Sequence, residues 1–218
     1  MIKCQSIFFE GGMTMNIKTA LLLLPLSLPT LAFATVGGPQ NIEVLGYEVK
    51  EQKLYIMRHY LDGRGRLPQL YYYNFKSQKP NQLVQVNSLY INPKTKRIDY
   101  DQDSRKFDQD IAKIKKRLVP LNPIQKSKPQ LKVLKTTKGS APAWHDPQEK
   151  VPKWTYQYQV KSGLQKSAVQ QAVSYQQGLK ISQAYKVPRQ NKTLVIVKYL
   201  GIPFETGYSI EDPALLSR

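Results

Sequence analysis

Nine short runs rich in tyrosine, valine and isoleucine recur between residues 41 and 200, and nearly every one is closed by Gly, Pro, Asn or Ser. Such spacing leaves little room for helices and specifies strands joined by tight turns. The runs are Asn41–Val49, Leu54–Tyr60, Leu70–Phe75, Leu83–Tyr90, Leu131–Thr137, Trp154–Lys161, Val169–Tyr175, Leu179–Val187 and Thr193–Leu200. In the second, Leu54, Ile56 and Arg58 fall on one face and Tyr55, Met57 and His59 on the other. Thr155 to Val160 alternates in the same way, which places one face in water. Leu194-Val195-Ile196-Val197 is apolar throughout, the mark of a strand covered on both faces. The class expected is mainly β, with antiparallel sheets in a meander or sandwich and one amphipathic α-helix. The first four runs have the proportions of a propeller blade, but no second copy follows, and a lone blade cannot bury its faces.

The helix is expected between Asp103 or Ser104 as N-cap and Pro120 as terminator. Phe107, Ile111, Ile114 and Leu118 recur at helical spacing and form one apolar stripe suited to packing on a sheet. Asp108 and Asp110 near its start and Lys113, Lys115, Lys116 and Arg117 near its end complement the helix dipole. Residues 120–130 hold Pro120, Pro123 and Pro129 among polar side chains, the composition of an extended connector. The organisation expected is therefore 35–119 as an N-terminal β subdomain ending in the helix, 120–130 as connector and 131–218 as a C-terminal antiparallel subdomain.

Residues 1–34 have the layout of a secretory signal peptide. Lys18 supplies positive charge, Thr19 to Leu31 is apolar but shorter than a bilayer span, and Ala32-Phe33-Ala34 is a small-x-small cleavage site. No cysteine follows to take a lipid, so a soluble periplasmic or extracellular protein beginning at Thr35 is expected. Residues 1–14 read as translated leader, because Glu10-Gly11-Gly12 is encodable by a purine-rich ribosome-binding sequence just before Met15, which suggests a bacterial source.

Cleavage would remove Lys3, Lys18, Glu10 and the single cysteine, Cys4. From totals of 33 basic and 15 acidic residues that leaves 31 and 14, a net charge of +17 without a thiol. Disulfides and thiolate chemistry are thereby excluded from the mature chain. A charge this large and this dispersed attracts polyanions. Outside the cytoplasm the candidates are lipopolysaccharide, anionic lipid and acidic polysaccharide; nucleic acid is possible in charge terms but has no supporting motif. The densest cluster combines Lys113, Lys115, Lys116 and Arg117 with Lys94, Lys96 and Arg97.

Catalytic patterns are sparse. His59 lies in a strand, and His145 and Asp146 lie in the loop Trp144-His145-Asp146-Pro147 without a Gly-x-Ser-x-Gly elbow. Asp99, Asp101 and Asp103, followed by Asp110, have the spacing of a calcium loop. Ser104 in place of the turn glycine and the neighbouring Lys96, Arg97 and Arg105 count against it. Tyr71-Tyr72-Tyr73 and Tyr156-x-Tyr158 would stack sugars or bases if they faced water, and would fill a core if they did not. No cofactor is expected. The function expected is that of a non-enzymatic exported accessory or binding protein with a basic surface, the alternative being a secreted hydrolase using His145 and Asp146 or His59.

Overall fold

The computed structural model describes residues 37–143, 145–203 and 207–218. Residues 1–34, where the sequence leads one to expect a signal peptide, and Trp144 of the histidine loop lie outside them. The fold is mainly β with one α-helix, and among the described residues no helix is long and apolar enough to cross a membrane.

The chain opens with a meander of β1 (Gln40–Glu48), β2 (Lys53–Tyr60), β3 (Gln69–Asn74) and β4 (Leu83–Gln85), followed by helix α1 (Ser104–Lys115) and the two-residue β5 (Asn122–Pro123). Next come β6 (Gln130–Pro142), β7 (Lys150–Ser162), β8 (Gln165–Lys166) and β9 (Gln170–Ser174). A second meander closes the fold: β10 (Lys180–Lys186), β11 (Thr193–Ile202) and β12 (Tyr208–Leu216). Eight strands form one sheet in the order β4-β3-β2-β1-β12-β11-β10-β5, and β6, β7, β8 and β9 form a smaller sheet with β7 at its centre. Strands from both sides of residues 120–130 thus share the larger sheet, and residues 35–218 form one compact unit.

Three apolar cores separate the layers. Leu54 and Ile56 of β2 meet Leu194 and Ile196 of β11 in the first. The alternate residues Tyr55 and Met57 turn to the other face and pack on Phe107 and Ile111 of α1. Val195 and Val197 likewise turn from the first core onto Tyr156, Tyr158 and Val160 of the smaller sheet. This explains the unbroken apolar run of β11, which is covered on both faces.

The sheets are antiparallel as expected apart from one parallel joint. β1 and β12 pair in parallel through a single residue pair, Gln40 with Ile210, and their ladder stops there. The buried Glu211 carboxylate then accepts the Ile42 N–H at 2.9 Å in place of a ladder carbonyl. Asp212 holds Arg58 of β2 at 2.7 Å and accepts the Tyr199 hydroxyl, so an ion pair ties the two halves together. Burial, with the negative Asp212 beside it, raises the Tyr199 pKa and keeps that hydroxyl a donor. β12 itself is absent from the sequence reading because Pro213 lies in its middle, where proline normally excludes a strand. The Pro213 carbonyl accepts from Tyr73 Oη and Gln170 Nε2, both at 3.2 Å, so its N and O face away from β11, toward the side where the ladder with β1 has already stopped.

α1 starts where expected, with Asp103 accepting the Arg105 N–H at 2.8 Å. It returns to the sheet through Tyr47 and Val119, whose N–H groups bond each other's carbonyls at 2.8 and 2.9 Å. That approach needs the φ of +143° at Gly46, where a Cβ would sit 2.8 Å from Leu118. The run Leu83–Tyr90 is a strand only to Gln85 and then a 3-10 turn at Ser88–Tyr90, a site where Asn87 and Ser88 favour turning and where Tyr90 enters the core.

Candidate anion-binding surface

The cations at the end of α1 are largely engaged within the fold. Lys113 pairs with Asp110 at 2.9 Å, Lys115 with Glu43 at 2.8 Å, and Arg117 with Glu48 at 3.2 Å and Glu51 at 3.7 Å. Glu48 is buried and needs that guanidinium, so these residues fasten the helix to the β1–β2 turn. Partial burial alone would raise the Glu43 pKa, but hydrogen bonds from Lys115 and His59 outweigh it and hold the carboxyl below its usual value. Lys116, Lys94, Lys96 and Arg97 remain exposed without an ion pair among the described residues.

The acidic run does not converge. Asp99 accepts from Asn92 Nδ2, Asp101 lies 4.0 Å from Arg64, Asp103 caps α1, and Asp110 takes Lys106 and Lys113. Among the described residues no three His, Asp or Glu form a group able to hold a metal ion. His59 Nε2 lies 2.8 Å from Glu43, and His145 Nε2 lies 2.8 Å from Glu149, four residues on. Asp146 accepts the Gln148 amide rather than orienting its neighbouring histidine. The tyrosines serve the cores: Tyr73, Tyr156 and Tyr158 are buried, with hydroxyls bonded to Pro213 O, Gly178 N and Gln170 respectively.

Uncompensated charge collects on the outer face of the smaller sheet. Trp154, Tyr156, Tyr158 and Val160 point from β7 into the core, so Lys153, Thr155, Gln157, Gln159 and Lys161 line the opposite face. The register sets Lys132 of β6 opposite Gln159, Lys135 opposite Gln157, and Lys166 of β8 opposite Lys161. From Lys153 to Lys161 this face runs roughly 26 Å, at about 3.3 Å per residue. It carries five lysines, no acid and no ion pair among the described residues. A signal for it exists in the chain: between Ile111 and Phe204 stand 18 basic residues and only two acids, Asp146 and Glu149. Which lysines share a face is set by pairing register, which that run does not reveal.

The direct opposition of Lys161 and Lys166 costs stability, because like charges across a ladder repel. Lys166→Glu is expected to stabilise the fold by about 0.2–1 kcal/mol in chemical unfolding, the worth of an opposite-charge pair. The same change should weaken binding of an anionic partner. A variant that loses stability would show that the two ammonium groups do not face each other.

No protein-family model, no curated protein and no solved structure matches this chain.

Proposed function

We propose that this chain is an exported bacterial protein that acts by binding, and that its lysine face associates with the dense phosphate or carboxylate arrays of the cell envelope. The observation that carries the reading is the acid-free outer face of the smaller sheet, whose five lysines have no ion pair among the described residues while Lys113, Lys115 and Arg117 at the end of the helix are paired. Each lysine near an anionic surface contributes about 1 kcal/mol, so several acting together suffice for association without a pocket. Among the described residues of β7 and β9 this face offers Gln and Thr as hydrogen-bonding groups, Val151 and Val173 as apolar side chains, and no aromatic ring. Base stacking needs aromatic rings, and insertion into a bilayer needs more apolar surface than two valines supply, which favours contact with headgroups or acidic sugars over single-stranded nucleic acid. Export rests on the signal layout of residues 1–34, with Thr35 as the first residue after cleavage at Ala34.

The test is co-sedimentation of the mature chain with phosphatidylglycerol vesicles, lipopolysaccharide and a polyuronate, with neutral vesicles and duplex DNA alongside. Binding to at least one envelope anion at low ionic strength, falling steeply with salt as screening sets in, is the expected result. The three anionic probes distinguish lipid, lipopolysaccharide and polysaccharide sources. Absence of binding to all three at low salt would end the proposal, and preference for DNA would transfer it to another class of partner.

A further inference from the structure

β6 is paired on one side only. Its ladder with β7 runs from Gln130 opposite Lys161 to Pro142 opposite Lys150, and no described strand lies along its other edge. Along that edge alternate residues direct N–H and C=O groups outward, as in any edge strand. From Lys132 to Ser140 every residue is exposed, and Val133 and Leu134 leave 43% and 46% of their surface in water. The smaller sheet therefore presents a long edge with apolar side chains that an added strand would cover.

Charge decides which strand fits. β6 carries Lys132, Lys135 and Lys138 and no acid, so a second copy of β6 along this edge would bring it only like charges. The bulge at Leu134, where the register shifts between Val133 and Lys135, further disfavours a flat self-pair. A strand with Asp or Glu opposite the three lysines meets opposite charges instead. Lys135 lies on the outer face with Gln157, and Lys138 lies on the Trp154 side, so acids on both faces of the incoming strand find partners.

We infer that β6 is a docking edge for an extended acidic peptide segment of a partner protein, added as a further strand to the smaller sheet. The partner is held by backbone hydrogen bonds along the edge and selected by Lys132, Lys135 and Lys138. This contact differs from adsorption on the sheet face, which uses side chains alone, and it stands whether or not that face binds envelope anions.

The experiment uses the 15N-labelled chain and three blocked peptides: alternating Glu and Thr, the same sequence N-methylated at every residue, and alternating Lys and Thr. The Glu-Thr peptide should slow exchange at alternate β6 amides. N-methylation keeps the charge and removes every backbone donor, and should weaken binding about tenfold or more, the worth of one or two ladder bonds. The Lys-Thr peptide should not bind. Lys138→Thr, which removes a β6 charge on the Trp154 side and none from the outer face, should weaken the Glu-Thr peptide by up to about fivefold, the worth of one cross-strand ion pair, and should lower vesicle binding less than Lys135→Thr does. Equal binding of the N-methylated peptide would overturn the inference, as would slowed exchange confined to outer-face residues of β7 and β9, or no slowing in β6 at saturation.

Discussion

Reversal of Lys132, Lys135, Lys161 and Lys166 to Glu together is expected to lower binding to anionic vesicles by roughly three orders of magnitude. Four lysines at about 1 kcal/mol each amount to about 4 kcal/mol, and a factor of ten corresponds to about 1.4 kcal/mol. Repulsion from the new carboxylates only adds to the loss. The comparison that gives this number meaning is a second variant with Lys94, Lys96, Arg97 and Lys116 reversed to Glu. Both sets are exposed, both change the net charge equally, and neither breaks an ion pair within the described fold. The second variant should lose far less, because its cations lie in the 92–97 turn and at the end of α1 rather than on the sheet face. Equal losses would mean that total charge, and not this face, drives association. Circular dichroism of both variants should match the parent, since all eight side chains are exposed.

Tyr90→Ala is expected to cost about 4–6 kcal/mol in urea unfolding. Tyr90 is fully buried in the core under α1, with its ring 4.9 Å from Tyr100 and 5.6 Å from Phe107. Truncating a buried aromatic to Ala costs about 3–5 kcal/mol through lost transfer energy and the cavity left behind. The hydroxyl adds more, since it donates to Pro68 O at 2.6 Å and accepts the Leu70 N–H at 2.7 Å. Burial pushes the Tyr90 pKa well above the ordinary tyrosine value, so the donor is present throughout the usual pH range. Tyr90→Phe isolates that part: it keeps the ring and strands the buried Leu70 N–H, for about 1–3 kcal/mol. A loss below about 1 kcal/mol for Tyr90→Ala would show that the layer between α1 and the sheet contributes little to the core.

The consequence reaches the loop 61–68. Tyr90 grips both Pro68 and Leu70 at the start of β3, and Leu67 N–H bonds Tyr100 O at 2.8 Å. One aromatic on a 3-10 turn thus fixes a glycine-rich loop and the first residues of the following strand. Its sequence neighbours, Asn87 and Ser88, signal a turn, yet the ring's destination depends on where α1 docks.

Local chemistry was legible from the residues themselves. Alternation in β2 and β7, the unbroken run of β11, the Asp103 cap and the stripe Phe107, Ile111 and Ile114 each express a short-range period or a turn preference, which a chain carries wherever it folds. Distant pairing was not legible. Pro213 hides β12 because its tolerance depends on the ladder with β1, more than 160 residues away in sequence, having stopped before it. Lys115 and Arg117 look like a contact patch until Glu43, Glu48 and Glu51 are folded beneath them. Lys132, Lys135, Lys161 and Lys166 look scattered until the register of β6, β7 and β8 places them on one face. A sequence determines how much charge a chain carries and which segments alternate; only long-range strand pairing determines which charges are neutralised and which are left facing outward together, because Coulomb energy depends on distances that the order of residues does not contain.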